Sequence, residues 1–360
     1  MSSTKGVDVD EGRRNFLTYQ ITSGIKFYTI NDIRYKLIAS SKEIRLLAEH
    51  IYQDTLHTLR FDNLITKERS KMLLLGLGVW GPNDDASLKK TEKYLEDKKI
   101  SLYKALYNLE KQKQIRKTIK TIKNSINKLY ARKHSLDYMT LDYHAFLTKR
   151  KYIIGMCLRD LQDKPVYSED GFWTSNSTIL ERIVEKLDSD LISIEEFREL
   201  ARSDPWRSIW HMGKEACMGI PIIDWTDDQK TLVTFSKMYD GAYQSMECPS
   251  DEVFEDDDMF DGWLIDQRRT REKEQKQKEV DNTKNVPDSA QEVFVFAPDR
   301  ESADQVYDLN DQTARMKIKQ RYQAIEQHGT IEAKNLPDTQ LELRNQARNE
   351  FKDKMHRGRG

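Results

Sequence analysis

The chain has 360 residues, of which 33 % are charged and 38 % hydrophobic, with 59 basic and 60 acidic side chains. The apolar share lies below the roughly 45–50 % of an ordinary globular chain, yet 16 Tyr, 12 Phe and 6 Trp supply material for a core. No apolar run of the ~18 residues needed to cross a bilayer occurs, Gly and Pro are too few for a collagen-like chain, and a net charge of −1 argues against general nucleic-acid binding.

The first 14 residues are polar and read as a loose end without the apolar stretch of a signal peptide. Residues 15–38 carry Phe16, Leu17, Tyr19, Ile21, Ile25, Phe27, Tyr28 and Ile30 around Gly24. This predicts a β hairpin. Ser40 or Ser41 then caps a helix from Lys42, with Ile44, Leu47, Ile51, Leu56 and Leu59 at helical spacing. Leu73–Trp80 is apolar and runs into Gly81-Pro82-Asn83, a buried element end followed by a turn.

Residues 86–134 lack Gly and Pro. Leu88, Leu95, Leu102, Leu106 and Leu109 step by near-heptads, and Ile115, Ile119, Ile122, Ile126 and Leu129 step 4-3-4-3. The six-residue step between Leu109 and Ile115 marks a turn or skip, so the stretch reads as a coiled-coil or hairpin arm. Three helix starts follow. Ser193 with Glu196 and Thr226 with Gln229 form capping boxes, and Asp204-Pro205 is an N-cap with Pro at the first helical position. From Asp266 to Asn285 the chain is polar, a solvated helix or linker. Helical patterns recur near 300–327 and 338–355.

These signals predict a mainly α fold: a long helical arm plus a small helical domain, with a short β hairpin near the N-terminus. The parts are a mixed N-terminal portion (1–85), the basic arm (86–151), a compact Trp-rich domain (152–266), a polar linker or helix (267–298) and a helical tail (299–360). Cys157, Cys217 and Cys248 show no CxxC spacing, so a disulfide framework is not expected and a reducing compartment is.

Charge is segregated. Residues 86–151 hold 18 Lys/Arg against 6 Asp/Glu, and residues 224–266 hold 13 Asp/Glu against 2 Lys. Three readings follow: the two segments meet in one molecule or between copies; the basic arm meets an acidic partner or nucleic acid; or both are solvated faces. The steering residues are Lys113, Arg116, Lys117, Lys120 and Lys123 on the basic side and Asp256, Asp257 and Asp258 on the acidic side. Lys predominates over Arg, which suits diffuse fields better than bidentate readout.

Glu255–Trp263 is the most metal-like string, but as a calcium loop starting at Asp257 it has Met259 at position 3 and Arg268 at position 12. An acidic helix N-terminus is the plainer reading, and no metal or other cofactor is expected. His50 with His57, His211 with Cys217, and Asp137 with Asp142 and His144 lack ligand spacing. No Walker loop, GxGxxG, GxSxG or HExxH string occurs, and no enzyme is expected. Trp206 and Trp210 stand one helical turn apart. With Trp225, Trp263, Tyr239 and Tyr243 they form either the core of the small domain or an exposed partner surface.

Phe197-Arg-Glu-Leu-Ala-Arg-Ser-Asp-Pro-Trp-Arg-Ser-Ile-Trp210, with Lys214 and Ser236-Lys-Met-Tyr-Asp240, resembles bacteriophage late proteins of tail morphogenesis, tail assembly chaperones among them. The resemblance covers about 75 residues, roughly 194–270. It implies a helical, non-catalytic protein that binds other tail proteins such as the tape measure or baseplate, in the host cytoplasm during assembly or in the virion tail, with self-association open and no membrane contact. The length and the lysine-rich arm depart from small chaperones and place a baseplate, hub or neck part on equal footing. Partner contacts are then expected at Trp206, Arg207, Trp210, Lys214, Tyr239 and Trp263. The competing expectation is a nucleic-acid-associated accessory protein using the lysine-rich helix.

Overall fold

A computed structural model of the chain describes residues 10–60, 64–175 and 177–281, with scattered positions between 303 and 322. The fold is mainly α with one small antiparallel sheet. It divides into two units, Met1–Asp266 and Gln267–Gly360.

The first unit opens with α1 (Glu11–Ser23), so the polar start is helical from residue 11 and only residues 1–9 lie outside the description. Gly24 terminates α1 at φ 66°, a left-handed cap that favours glycine. The hairpin follows as β1 (Lys26–Ile30) and β2 (Ile33–Leu37). Its turn is Asn31-Asp32, at φ 50° and 61°, not Gly24. Asn and Asp tolerate the left-handed region that a two-residue hairpin turn requires. β3 (Leu158–Arg159) adds to β2, giving the order β1-β2-β3, all antiparallel.

α2 (Lys42–Leu59) is capped by Ser41, whose side chain accepts from the Ile44 amide. It packs along α6 (Leu141–Cys157). α3 (Lys67–Gly76) buries only Ser70 and Leu74. The arm is a helical hairpin of α4 (Pro82–Lys104) and α5 (Leu109–Lys133). The turn, residues 105–108, comes just before the register break, which lies in the first turns of α5: Asn108 caps α5, and Gln112 donates to the carbonyls of Ala105 and Leu106. The boundaries drawn at 85/86 and 151/152 lie inside α4 and α6.

α7 (Thr178–Ser189), α8 (Ile194–Arg202), α9 (Trp206–Gly213), α10 (Asp227–Tyr243), α11 (Asp251–Glu255) and α12 (Asp257–Asp281) complete the described helices. Both capping boxes form, at Ser193–Glu196 and Thr226–Gln229. α9 begins one residue after Pro205, and Asp204 accepts from the Ser208 amide at 3.1 Å.

Three apolar clusters hold the first unit. The largest joins α1 (Leu17, Ile21) and the arm (Leu102, Ile119) to Phe197, Leu200, the tryptophans, Leu232, Tyr239, Phe254 and Phe260. The Trp-rich segment is therefore not closed on itself; it shares a core with α1 and the arm. A second cluster sets the sheet (Tyr28, Ile30, Tyr35) against Ala48, Tyr152, Phe172 and Ile183. A third, small one holds Leu74, Trp80 and Leu88 at the far end of the arm, with Ile126 and Leu129 packed on it.

In the second unit, helical backbone is described at 303–304, 306–307, 314–316, 318–319 and 322. The Arg315 guanidinium lies 5.6 Å from the Tyr307 ring centroid. The helical pattern expected at 338–355 lies outside the described residues. No described helix is long and apolar enough to cross a membrane.

Candidate functional site

The tryptophans are the first candidates, and the structure overturns their reading as a partner surface. Trp206 is 0 % exposed, Trp210 2 %, Tyr239 0 % and Trp263 3 %. The reason is local. α9 lays Trp206 and Trp210, ring centroids 6.1 Å apart, onto α10 one turn from each other. There each indole N–H finds an acceptor: Trp206 donates to Ser236 Oγ and Trp210 to Asp240 Oδ2, both at 2.8 Å. A buried indole needs such a partner, and the spacing from 236 to 240 on α10 matches the spacing from 206 to 210 on α9. Tyr239, Phe254, Phe260 and Trp263 continue the layer, with Tyr239 and Phe260 rings 4.9 Å apart.

Arg207 and Lys214, also expected at a partner surface, close this layer from outside. Both bind Asp240, Lys214 at 2.8 Å, and the Lys214 ammonium lies 5.4 Å from the Trp210 ring. Burial alone would push the Asp240 carboxyl up. Hydrogen bonds from Lys214, Trp210 and Arg207 outweigh it and hold the group at about 2.

The charged segments meet within one molecule. The first turn of α12 faces α8 on one side and the arm on the other. Arg116 reaches Asp256 at 2.5 Å and Lys123 reaches Asp258 at 2.9 Å. Lys99 spans Asp258 at 3.3 Å and Asp261 at 2.6 Å. From α8, Arg198 binds Asp261 at 2.6 Å, and Arg202 binds Asp257 at 2.8 Å while donating to the Phe254 carbonyl and the Tyr239 hydroxyl. Lys104 and Asp266 pair at 2.8 Å. Asp256 also caps α12, accepting from the Met259 amide, so the acidic string is a helix N-terminus.

Burial strains this junction in opposite directions. It raises the Asp257 carboxyl in spite of Arg202 and Arg198. It would raise Asp258 too, but Lys123 and Lys99 overcome it and lower that group. Lys99 would be lowered by its own burial, and Asp261 and Asp258 hold it up.

The expected steering residues thus separate. Arg116, Lys123, Asp256, Asp257 and Asp258 are engaged internally and cannot steer a partner. Among the described residues Lys113 pairs only with Glu110 on its own helix, and Lys117 and Lys120 stay exposed on α5.

Sequence reasoning missed an open cavity of about 400 Å³ lined by Tyr52, Lys67, Asp137, Asp142, Phe146 and Lys149. Asp142 accepts from Lys67 at 3.1 Å and from the Tyr52 hydroxyl at 3.3 Å. Only the proximity of Asp137 to Asp142 hinted at it. Among the described residues no group of three or more His, Cys, Asp or Glu is placed to hold a metal ion. The cysteines are free thiols; burial pushes Cys157 up to about 11.

No protein-family model matches the chain, and neither the curated proteins nor the solved structures yield a match.

Proposed function

We propose that the chain is a non-enzymatic assembly or structural component of a bacteriophage tail that works through contacts with other tail proteins. The resemblance of residues 194–270 supports the class. The observation that carries the contact role is α3 with the turn after it. Met72, Leu73, Leu75 and Leu77 are 65 %, 40 %, 58 % and 68 % exposed. Contiguous exposed apolar side chains of this size mark contact surfaces. The contact surface therefore moves from the buried tryptophans to α3.

The test uses the tagged full chain in infected source cells, with cross-linking and mass spectrometry. Tape-measure, baseplate or other tail proteins should cross-link near α3. A Leu75→Lys/Leu77→Lys variant should lose them while its circular dichroism stays that of the parent. Cross-links to no tail protein would overturn the reading.

A further inference from the structure

α5 carries nine Lys and Arg and a single acid, Glu110. Acids from other elements neutralise basic residues on its flanks and core side: Asp256 takes Arg116, Asp258 takes Lys123, Asp84 takes Arg132 and Asp85 takes Lys133. The face turned away from the buried Ile119 and Ile122 is left charged. Lys113, Lys117, Lys120 and Lys128 recur there at steps of 4, 3 and 8, with Asn124 in the gap, and all five are exposed. Among the described residues, Lys117, Lys120 and Lys128 have no acid within ion-pair distance. At 1.5 Å rise per residue the stripe runs about 22 Å along a rigid helix.

We infer that this lysine stripe on α5 binds the phosphate backbone of nucleic acid without reading its sequence. The composition of the face decides among polyanions. Every exposed residue of α5 from Lys113 to Lys128 is Lys, Gln, Thr, Asn or Ser. A protein interface has an apolar core, and a helix lying on a membrane needs an apolar face to enter it. This stripe has neither. Phosphates need only positive charge and hydrogen-bond donors, which Lys and Asn provide. With lysine in place of arginine and no aromatic side chain on the stripe, the contact carries charge but neither bidentate base recognition nor stacking. The near-zero net charge of the chain conceals this face because the acids that reach this helix are spent on its flanks and core side.

The experiment measures binding of the full chain to a labelled mixed-sequence duplex of about 30 base pairs, from about 50 to 200 mM salt. Four lysine–phosphate contacts should give a log–log salt slope of about −3 to −4. Lys117→Gln/Lys120→Gln/Lys128→Gln should remove about three units of that slope and weaken binding at low salt at least tenfold. These side chains are exposed and unpaired, so the variant should melt like the parent. Lys89→Gln/Lys90→Gln/Lys93→Gln, an equal charge loss on exposed positions of α4, should change affinity by less than about threefold. No binding at low salt, an unchanged slope in the α5 variant, or competition by polyglutamate as effective as DNA of equal charge would each overturn the assignment.

Discussion

Gly262 of α12 presses against the backbone of Lys99 in α4, so that a Cβ built on it would stand 2.6 Å from the Lys99 carbonyl carbon. This close approach lets Lys99 reach both Asp258 and Asp261, which precede the glycine on the same helix. Alanine is the better helix former by ~1 kcal/mol. Even so, Gly262→Ala should destabilise the fold by about 1–3 kcal/mol, because backbone cannot yield as a side chain can. Urea unfolding checks it; a more stable variant would mean that the helices do not meet here.

The ion pairs should differ in worth by their exposure. Asp261→Asn removes the negative charge shared by Lys99 and Arg198, side chains only 14 % and 12 % exposed, and turns one of its two acceptor oxygens into a donor. It should cost about 2–4 kcal/mol, since a buried charge is left short of partners. Lys133→Gln breaks the outlying, exposed pair with Asp85 and should leave the denaturation midpoint close to the parent's. Chemical denaturation of the two variants side by side gives the contrast.

Trp206→Ala should unfold or nearly unfold the first unit, by about 3–5 kcal/mol, and leave Ser236 without its indole donor. Trp206→Phe should fall between parent and alanine variant. If Trp206→Ala instead kept the parent melting temperature while losing a binding partner, the burial described for it would be wrong.

Acid should loosen the α9–α10 contact over a definite range. Asp240 is held at about 2, below its ordinary 3.8. A lowered carboxylate contributes stability that is complete above its unfolded value and lost as pH falls through the folded one. Thermal melts should therefore show an Asp240 contribution at pH 5 that declines from about pH 4 to about pH 2. The Asp240→Asn variant should be less stable at pH 5 and lose less over that range.

What could be read in advance was local. Ser41, Ser193 and Thr226 announce helix starts because a cap acts within three residues. The break between Leu109 and Ile115 pointed to the arm's turn but sits just past it, at the start of α5, because counting register locates a shift and not the loop that causes it. Gly24 misled because glycine serves helix ends as well as turns, while the quieter pair Asn31-Asp32 holds the hairpin. Long-range facts were half visible. Opposite charge on the arm and on residues 224–266 was plain, but Arg116 meets Asp256 across 140 positions, and nothing in spacing pairs them. Whether Trp206 and Trp210 faced in or out depended on Ser236 and Asp240, acceptors on a helix whose placement no periodicity reveals. α3 escaped because its apolar residues look like core until Leu74 alone is seen to be buried.

α1 has one more consequence, in the order of synthesis. Leu17 and Ile21 belong to the largest core. Arg13 pairs with Glu196, Arg14 with Glu199, and the Thr22 carbonyl accepts from Gln229, 207 residues later. A chain leaves the ribosome from its N-terminus, so α1 emerges with its apolar stripe bare and waits while α2 to α9 are made. The sheet and the arm hairpin can assemble during that interval; the tryptophan layer cannot close until α10 to α12 arrive. Among the elements of this core α1 is thus translated first and covered only once α8 and α10 have followed it.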